Sequence, residues 1–175
     1  VWVVGNTAGT AQLGLYAVAV GVGQLFFYIP EPFARVVQPH LYGQVENEML
    51  ARFKLIARLN FTTVLVLALL LGISAPWLLP LLYGPVFGGS VIALQWLLPG
   101  ILFVSSAKLT SLLVVQGGYI RFSLYATAIA AVITVVRDLW LIPKWGIVGA
   151  SIVSSISYFA VMLIPCLVVR FKRKL

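Results

Sequence analysis

Acidic side chains are nearly absent from this chain. Asp and Glu number 4 in 175 residues, and charged residues of both signs reach only 9%. A soluble domain carries about 25%, so there is too little charge here to cover a water-facing surface. Cysteine and histidine are scarcer still, with Cys166 and His40 the single examples. One cysteine excludes an intrachain disulfide. One Cys, one His and four scattered acids fall short of the three or four ligands of a protein-only zinc site, so neither a metal nor another cofactor is expected. Acid–base catalysis needs a placed pair of titratable groups. The acids inside apolar segments, Glu31 and Asp138, belong near opposite membrane faces, and an enzyme is disfavoured. Glu46 and Glu48 read as solvated.

What is present is apolar. Hydrophobic residues make up 62%, with a mean hydropathy of +1.07. The excess is spread along the chain and so is neither a signal peptide nor a lone anchor. Long runs are read at 14–39, 57–81, 91–115, 119–141 and 147–169, each near the roughly 20 residues that a membrane helix needs. Membrane strands alternate with period two over about ten residues. These runs are continuously apolar and longer, and a helix satisfies its own backbone in lipid. The expectation is an all-α integral membrane protein, a bundle of about five transmembrane helices plus the end of a sixth. Residues 1–13 read as the end of a truncated helix and an outer turn, and residues 14–175 as the transmembrane part.

The net charge of +8 follows the loops. Arg52, Lys54, Arg58, Arg121 and the tail cations Arg170, Lys172, Arg173 and Lys174 fall on one side if the spans alternate, and Lys144 alone on the other. Cytoplasmic loops carry such an excess, which places the C-terminus in the cytoplasm. The basic residues form no exposed folded face, so no nucleic-acid partner is expected; the lipid bilayer is. The Asn60–Thr62 "NFT" sequon lies in or near a span on the inner side and reads as chance.

The first run carries a stripe. Gly14, Ala17, Gly21, Gln24, Tyr28, Glu31, Arg35 and Gln38 recur at alternating intervals of three and four, which puts them on one helix face. Its outer half is small, as for close packing, and its inner half is polar. Pro30 and Pro32 lack amide donors and crowd the carbonyls of Phe26 and Tyr28, predicting a kink there. Ionisable residues inside spans are rare and face a partner or a cavity. Glu31 therefore either pairs with Arg35 four residues on or lines a cavity as a free carboxylate. Lys108 shares a helix face with Ser105 and Ser111. The cavity candidates are thus Glu31, Arg35, Lys108, Gln24 and Gln38, with Arg137 and Asp138 at the outer end as interfacial anchors or site residues. In the last run, Gly146, Ala150, Ser154 and Ser157 form a stripe suited to packing.

Three stretches in order, "LGLYAVAVGV" at 13–22, "LLPLLYGPVFGGSVIALQWLLPGILF" at 78–103 and "LIPKWGIVGASIVSSIS" at 141–157, resemble the polysaccharide biosynthesis flippases. These translocate lipid-linked oligosaccharides of the O-antigen, lipopolysaccharide type, within the superfamily of multidrug, oligosaccharidyl-lipid and polysaccharide exporters. The resemblance implies one lobe of a two-lobed transporter that alternates access across the inner (cell) membrane around a cationic cavity. This chain, beginning "VWVV", would be the C-terminal lobe, and its partner the missing N-terminal lobe. It also implies basic residues holding the diphosphate of a polyprenyl-linked oligosaccharide, for which Arg35 and Lys108 are the residues available. No catalytic motif is carried over. A proton- or sodium-coupled drug antiporter of the same superfamily, with Glu31 as the coupling carboxylate, and a non-transporting scaffold of a glycan-assembly complex are the alternative readings.

Overall fold

A computed structural model describes residues 9–40, 46–116 and 120–172, with side chains placed over 9–36, 51–112 and parts of 114–163. Every described element is helical. In chain order they are α1 (Thr10–Leu25), a 3-10 turn (Phe26–Tyr28), α2 (Pro30–His40), α3 (Glu46–Tyr83), a second 3-10 turn (Pro85–Gly89), α4 (Ser90–Gln116) and α5 (Ile120–Lys172). Among the described residues, four stretches are long and apolar enough to cross a membrane: Thr10–Val36, Ala51–Tyr83, Pro85–Leu112 and Gly146–Leu163. A shorter apolar helix, Thr127–Arg137, lies between the last two.

α5 is two helices joined at one glycine. Gly146 has φ 56° and ψ −139° while its neighbours stay helical, and the chain folds back there. Thr134 Oγ1 lies 2.7 Å from Ser157 Oγ, and the midpoint of that pair falls beside Gly146. Arms 120–145 and 147–172 are therefore antiparallel. The positive φ disfavours any side chain at Gly146, whereas the Gln12 Oε1 that would lie 2.7 Å from a Cβ is the end of a flexible side chain and can move aside. Gly146→Ala is expected to destabilise the fold by about 1–2 kcal/mol, read as a lowered Tm in detergent.

Interhelix contacts fix the remaining directions. α3 and α4 form an antiparallel hairpin, with Gln95 Nε2 donating to the Gly72 carbonyl (3.1 Å) and Asn60 Nδ2 to Ser105 Oγ (3.0 Å). α4 and the second arm run in the same direction. Ser155 Oγ donates to the Trp96 carbonyl (2.7 Å), and further along Phe103 meets Phe159 edge-on at 5.0 Å. α1 joins this parallel set through Tyr16 and Ser154, whose hydroxyls are 3.2 Å apart. α4 is the hub, with 44% of its apolar window buried against 22% for α3. The core lies between α1, α3 and α4 around Ala19, Val64, Leu79, Leu94 and Ile101. Outward, α3 and the first arm present Leu69, Ile73, Trp77, Leu124, Ile129 and Val132, the surface that suits lipid.

These directions agree with segments alternating across a membrane. They bring Arg52, Lys54, Arg58 and Arg121 to one end of the bundle and Arg137 to the other. The boundaries move modestly from expectation. α1 starts at Thr10, because Gly9 (φ 85°) turns the chain and its carbonyl accepts the Leu13 amide at 3.1 Å. α3 begins at Glu46, eleven residues before the apolar run read at 57–81. The turn expected after residue 141 is instead helical up to Gly146. Residues 1–8, and the side chains of the tail cations, lie outside the described residues.

Candidate functional site

The prolines that looked like a mid-helix fault open a new helix. Pro30 is the first residue of α2, Glu31 the second and Pro32 the third. The first-turn amides of a helix have no intrahelical acceptor, so prolines there forfeit nothing. Glu31 sits in the same turn, where the helix dipole favours an anion. Upstream, α1 tightens into the 3-10 turn rather than unwinding. Phe26 and Ile29 keep right-handed helical dihedrals, and the Phe26 carbonyl accepts the Ile29 amide at 3.2 Å. The expected kink is therefore an interruption of the hydrogen-bond ladder one turn before the prolines.

Lys108 closes the other side of the interruption. Its Nζ donates to the Phe27 carbonyl at 2.8 Å and lies 5.7 Å from the centroid of the Phe27 ring. The Phe27 ring in turn meets Tyr158 of the second arm edge-on at 6.0 Å. Carbonyls at the end of a helical segment attract cations, and the three parallel helices meet at this residue. The interruption thus has a cation at its carbonyl end and an anion at its amide end. The expected shared face of α4 divides: Ser105 is buried against α3, while Lys108 reaches α1 and remains exposed.

The stripe on α1 and α2 is an open face. Ala17, Gly21, Gln24, Tyr28, Glu31 and Arg35 are all exposed, and a Cβ added at Gly14 or Gly21 would meet nothing within 4 Å. The opposite face, with Tyr16, Ala19, Val22, Gly23 and Pro30, is buried. The small outer half of the stripe therefore packs on nothing among the described residues. Of the two readings of Glu31, the pair with Arg35 is not formed: no ion pair within 4.0 Å joins them, and the start of α2 offsets the Glu31 charge. Left bare in lipid, a charged side chain costs about 2.5–3.5 kcal/mol at mid-membrane. This face needs water, a ligand or other protein against it. The serine stripe of the last run does pack, through Ala150, Ser154 and Ser157.

Asn60, whose sequon reads as chance, has a structural place instead. It is fully buried; its amide nitrogen is bonded to Ser105, and its Oδ1 has no protein partner among the described residues. An Asn at an i, i+4 position of the α3 stripe Asn60, Val64, Ala68 is the signal that could have found it. Asn60→Leu with Ser105→Ala removes the unpartnered Oδ1 and both ends of the buried hydrogen bond at once. The Tm of this pair should stay near that of the wild type, and Asn60→Leu alone, which leaves the Ser105 hydroxyl without its partner, should lie lower; equal Tm values for the two variants would show that the hydrogen bond is not needed.

Arg137 is exposed at the opposite end of the bundle, apart from this site. The side chains of Gln38 and Asp138 lie outside the described residues. No group of three or more metal-type ligands occurs among the described residues. Comparison with known proteins leaves the geometry to speak alone: no family model, no curated protein and no solved structure matches this chain.

Proposed function

We propose that the chain forms one lobe of an inner-membrane transporter that flips a polyprenyl-diphosphate-linked oligosaccharide by alternating access. The end carrying Arg52, Lys54, Arg58 and Arg121 would face the cytoplasm. The observation that carries this reading is the open face of α1–α2, where Gln24, Tyr28, Glu31 and Arg35 follow a strip of small residues beside the exposed Lys108. A diphosphate taken from water into a low-dielectric site needs cationic, hydrogen-bonding partners. Arg35 offers a planar fork and Lys108 a point charge. Helix interruptions recur at transporter sites because their free carbonyls and amides are held only where they line a cavity or are buried. A second, N-terminal lobe would cover the stripe, leaving the prenyl tail in lipid while the head group crosses. The α1–α2 junction at Pro30 and Pro32 is the proposed hinge.

The unpaired Glu31 carboxylate on the same face favours a second reading, a proton- or sodium-coupled antiporter. Both are tested in the complete protein reconstituted in vesicles. The flippase reading expects a labelled lipid-linked oligosaccharide to become accessible in the opposite leaflet. Glu31→Gln should then lower transport without changing its pH profile. Loss of pH dependence in that variant, together with drug export and no lipid movement, would replace flipping by antiport.

A further inference from the structure

A second polar feature lies on another helix. Phe53, Lys54, Ala57, Arg58, Phe61 and Thr62 line a cleft of about 450 Å³ on one side of α3. Lys54, Arg58, Phe61 and Thr62 are exposed, and no carboxylate is among the lining residues. From the start of the apolar segment at Ala51, Lys54 and Arg58 stand roughly 5 and 10 Å along the axis at 1.5 Å per residue. That is within reach of the membrane surface for long, snorkelling side chains.

The stripe does not stop at the cleft. Continuing at helical spacing, the same face passes from Lys54 and Arg58 through Phe61 and Leu65 to Leu69 and Ile73, and the last two are exposed. One helix face therefore runs from two cations, past aromatic rings, into bare hydrocarbon-facing side chains. This is the polarity profile of a phospholipid read from head group to acyl chain. Arg58 can take a phosphate by two parallel N–H bonds and Lys54 by one, and the Thr62 hydroxyl is a further donor.

We propose that this cleft is a resident site for an anionic phospholipid of the leaflet at the basic end of the bundle. Its phosphate sits between Lys54 and Arg58, and an acyl chain lies along Leu65, Leu69 and Ile73. The cleft shares no lining residue with the α1–α2 face, and the proposal does not depend on the flippase reading.

The test is native mass spectrometry of the complete protein taken from vesicles holding phosphatidylglycerol and phosphatidylcholine at equal mole fraction. Phosphatidylglycerol should be retained preferentially. Lys54→Gln with Arg58→Gln should lower that retention by roughly 10- to 30-fold, from about a five-fold contribution of each cation beside an anionic surface. Arg58→Lys should fall in between. The substituted side chains are exposed, so an unchanged helical circular dichroism spectrum is expected and serves as the folding control. Excess inorganic phosphate should leave the adduct in place, because the acyl chain holds it. Equal retention of both lipids, undiminished retention by the double variant, or displacement by phosphate would each overturn the proposal. Preferential uptake of a polyprenyl diphosphate over phosphatidylglycerol would overturn it too, by assigning the cleft to a carrier lipid.

Discussion

On the flippase proposal, Arg35→Gln is expected to slow lipid-linked oligosaccharide transport by the complete protein about 10- to 100-fold at unchanged Tm. One charge-assisted hydrogen bond to a phosphate is worth about 1.5–3 kcal/mol, and Arg35 makes no ion pair within the described structure whose loss would weaken the fold. Lys108→Gln should behave differently. Its Nζ holds the Phe27 carbonyl at 2.8 Å, so the variant loses a tie between α4 and the turn after α1 as well as a proposed head-group cation. Transport and Tm should fall together. Lys108→Arg, which can still reach a carbonyl, should recover the Tm. The contrast between these two cations separates transport from scaffolding, since a scaffold needs the Lys108 tie but is indifferent to Arg35. Equal transport by Arg35→Gln and wild type would remove the assignment of that residue to the head group.

Gly100→Val should be the most damaging single change to the fold. A Cβ at Gly100 would sit 2.7 Å from both Cα and Oγ of Ser155 and 2.9 Å from Tyr158 Cδ2. The first of these is backbone and cannot swing aside. α4 and the second arm would have to part, losing the bond from Ser155 to the Trp96 carbonyl and the ring contacts of Phe103 with Phe159 and of Phe27 with Tyr158. Overpacking costs about 1–3 kcal/mol and the hydrogen bond about 1 kcal/mol more. A fall in Tm large enough to impair expression is the expected outcome. Gly88→Ala, whose added Cβ meets nothing within 4 Å, is the matched control and should be neutral. A Gly100→Val protein as stable as that control would mean that the two helices are not in contact as described.

Much of this architecture is legible in the sequence because lipid leaves the chain few choices. Continuous apolar runs must be helices, and the Thr10–Val36, Ala51–Tyr83 and Pro85–Leu112 segments fall close to where those runs lie. The alternating intervals from Gly14 to Arg35 predict one face, and that face is open in the structure. The Pro-Glu-Pro sequence at 30–32 was harder. Proline reads as a helix fault or a helix start depending on whether the preceding turn keeps its α-helical bonds, and only the 3-10 turn at Phe26–Tyr28 decides it. The partner of Lys108 was not readable at all, since a backbone carbonyl on a distant helix leaves no mark in the sequence. Asn60 reads in sequence as a chance sequon, because nothing local marks an amide as buried. The "LIPKWG" stretch holds both a proline and a glycine that could turn the chain, and the glycine alone makes the turn.

The central claim is that the α1–α2 stripe borders an aqueous, substrate-sized space, whereas the equally exposed apolar faces border lipid. Thiol labelling of the complete protein tests it most directly. In a Cys166→Ser background, Gln24→Cys, Glu31→Cys and Arg35→Cys are compared with Leu69→Cys, Ile73→Cys and Val132→Cys, using a charged, membrane-impermeant reagent on sealed vesicles and on opened ones. The account predicts that the first three react, and that added lipid-linked oligosaccharide slows them, while the last three stay unreactive. Stripe cysteines as inert as those at Leu69 and Ile73, with or without substrate, would contradict it and leave the polar face as a buried contact between helices.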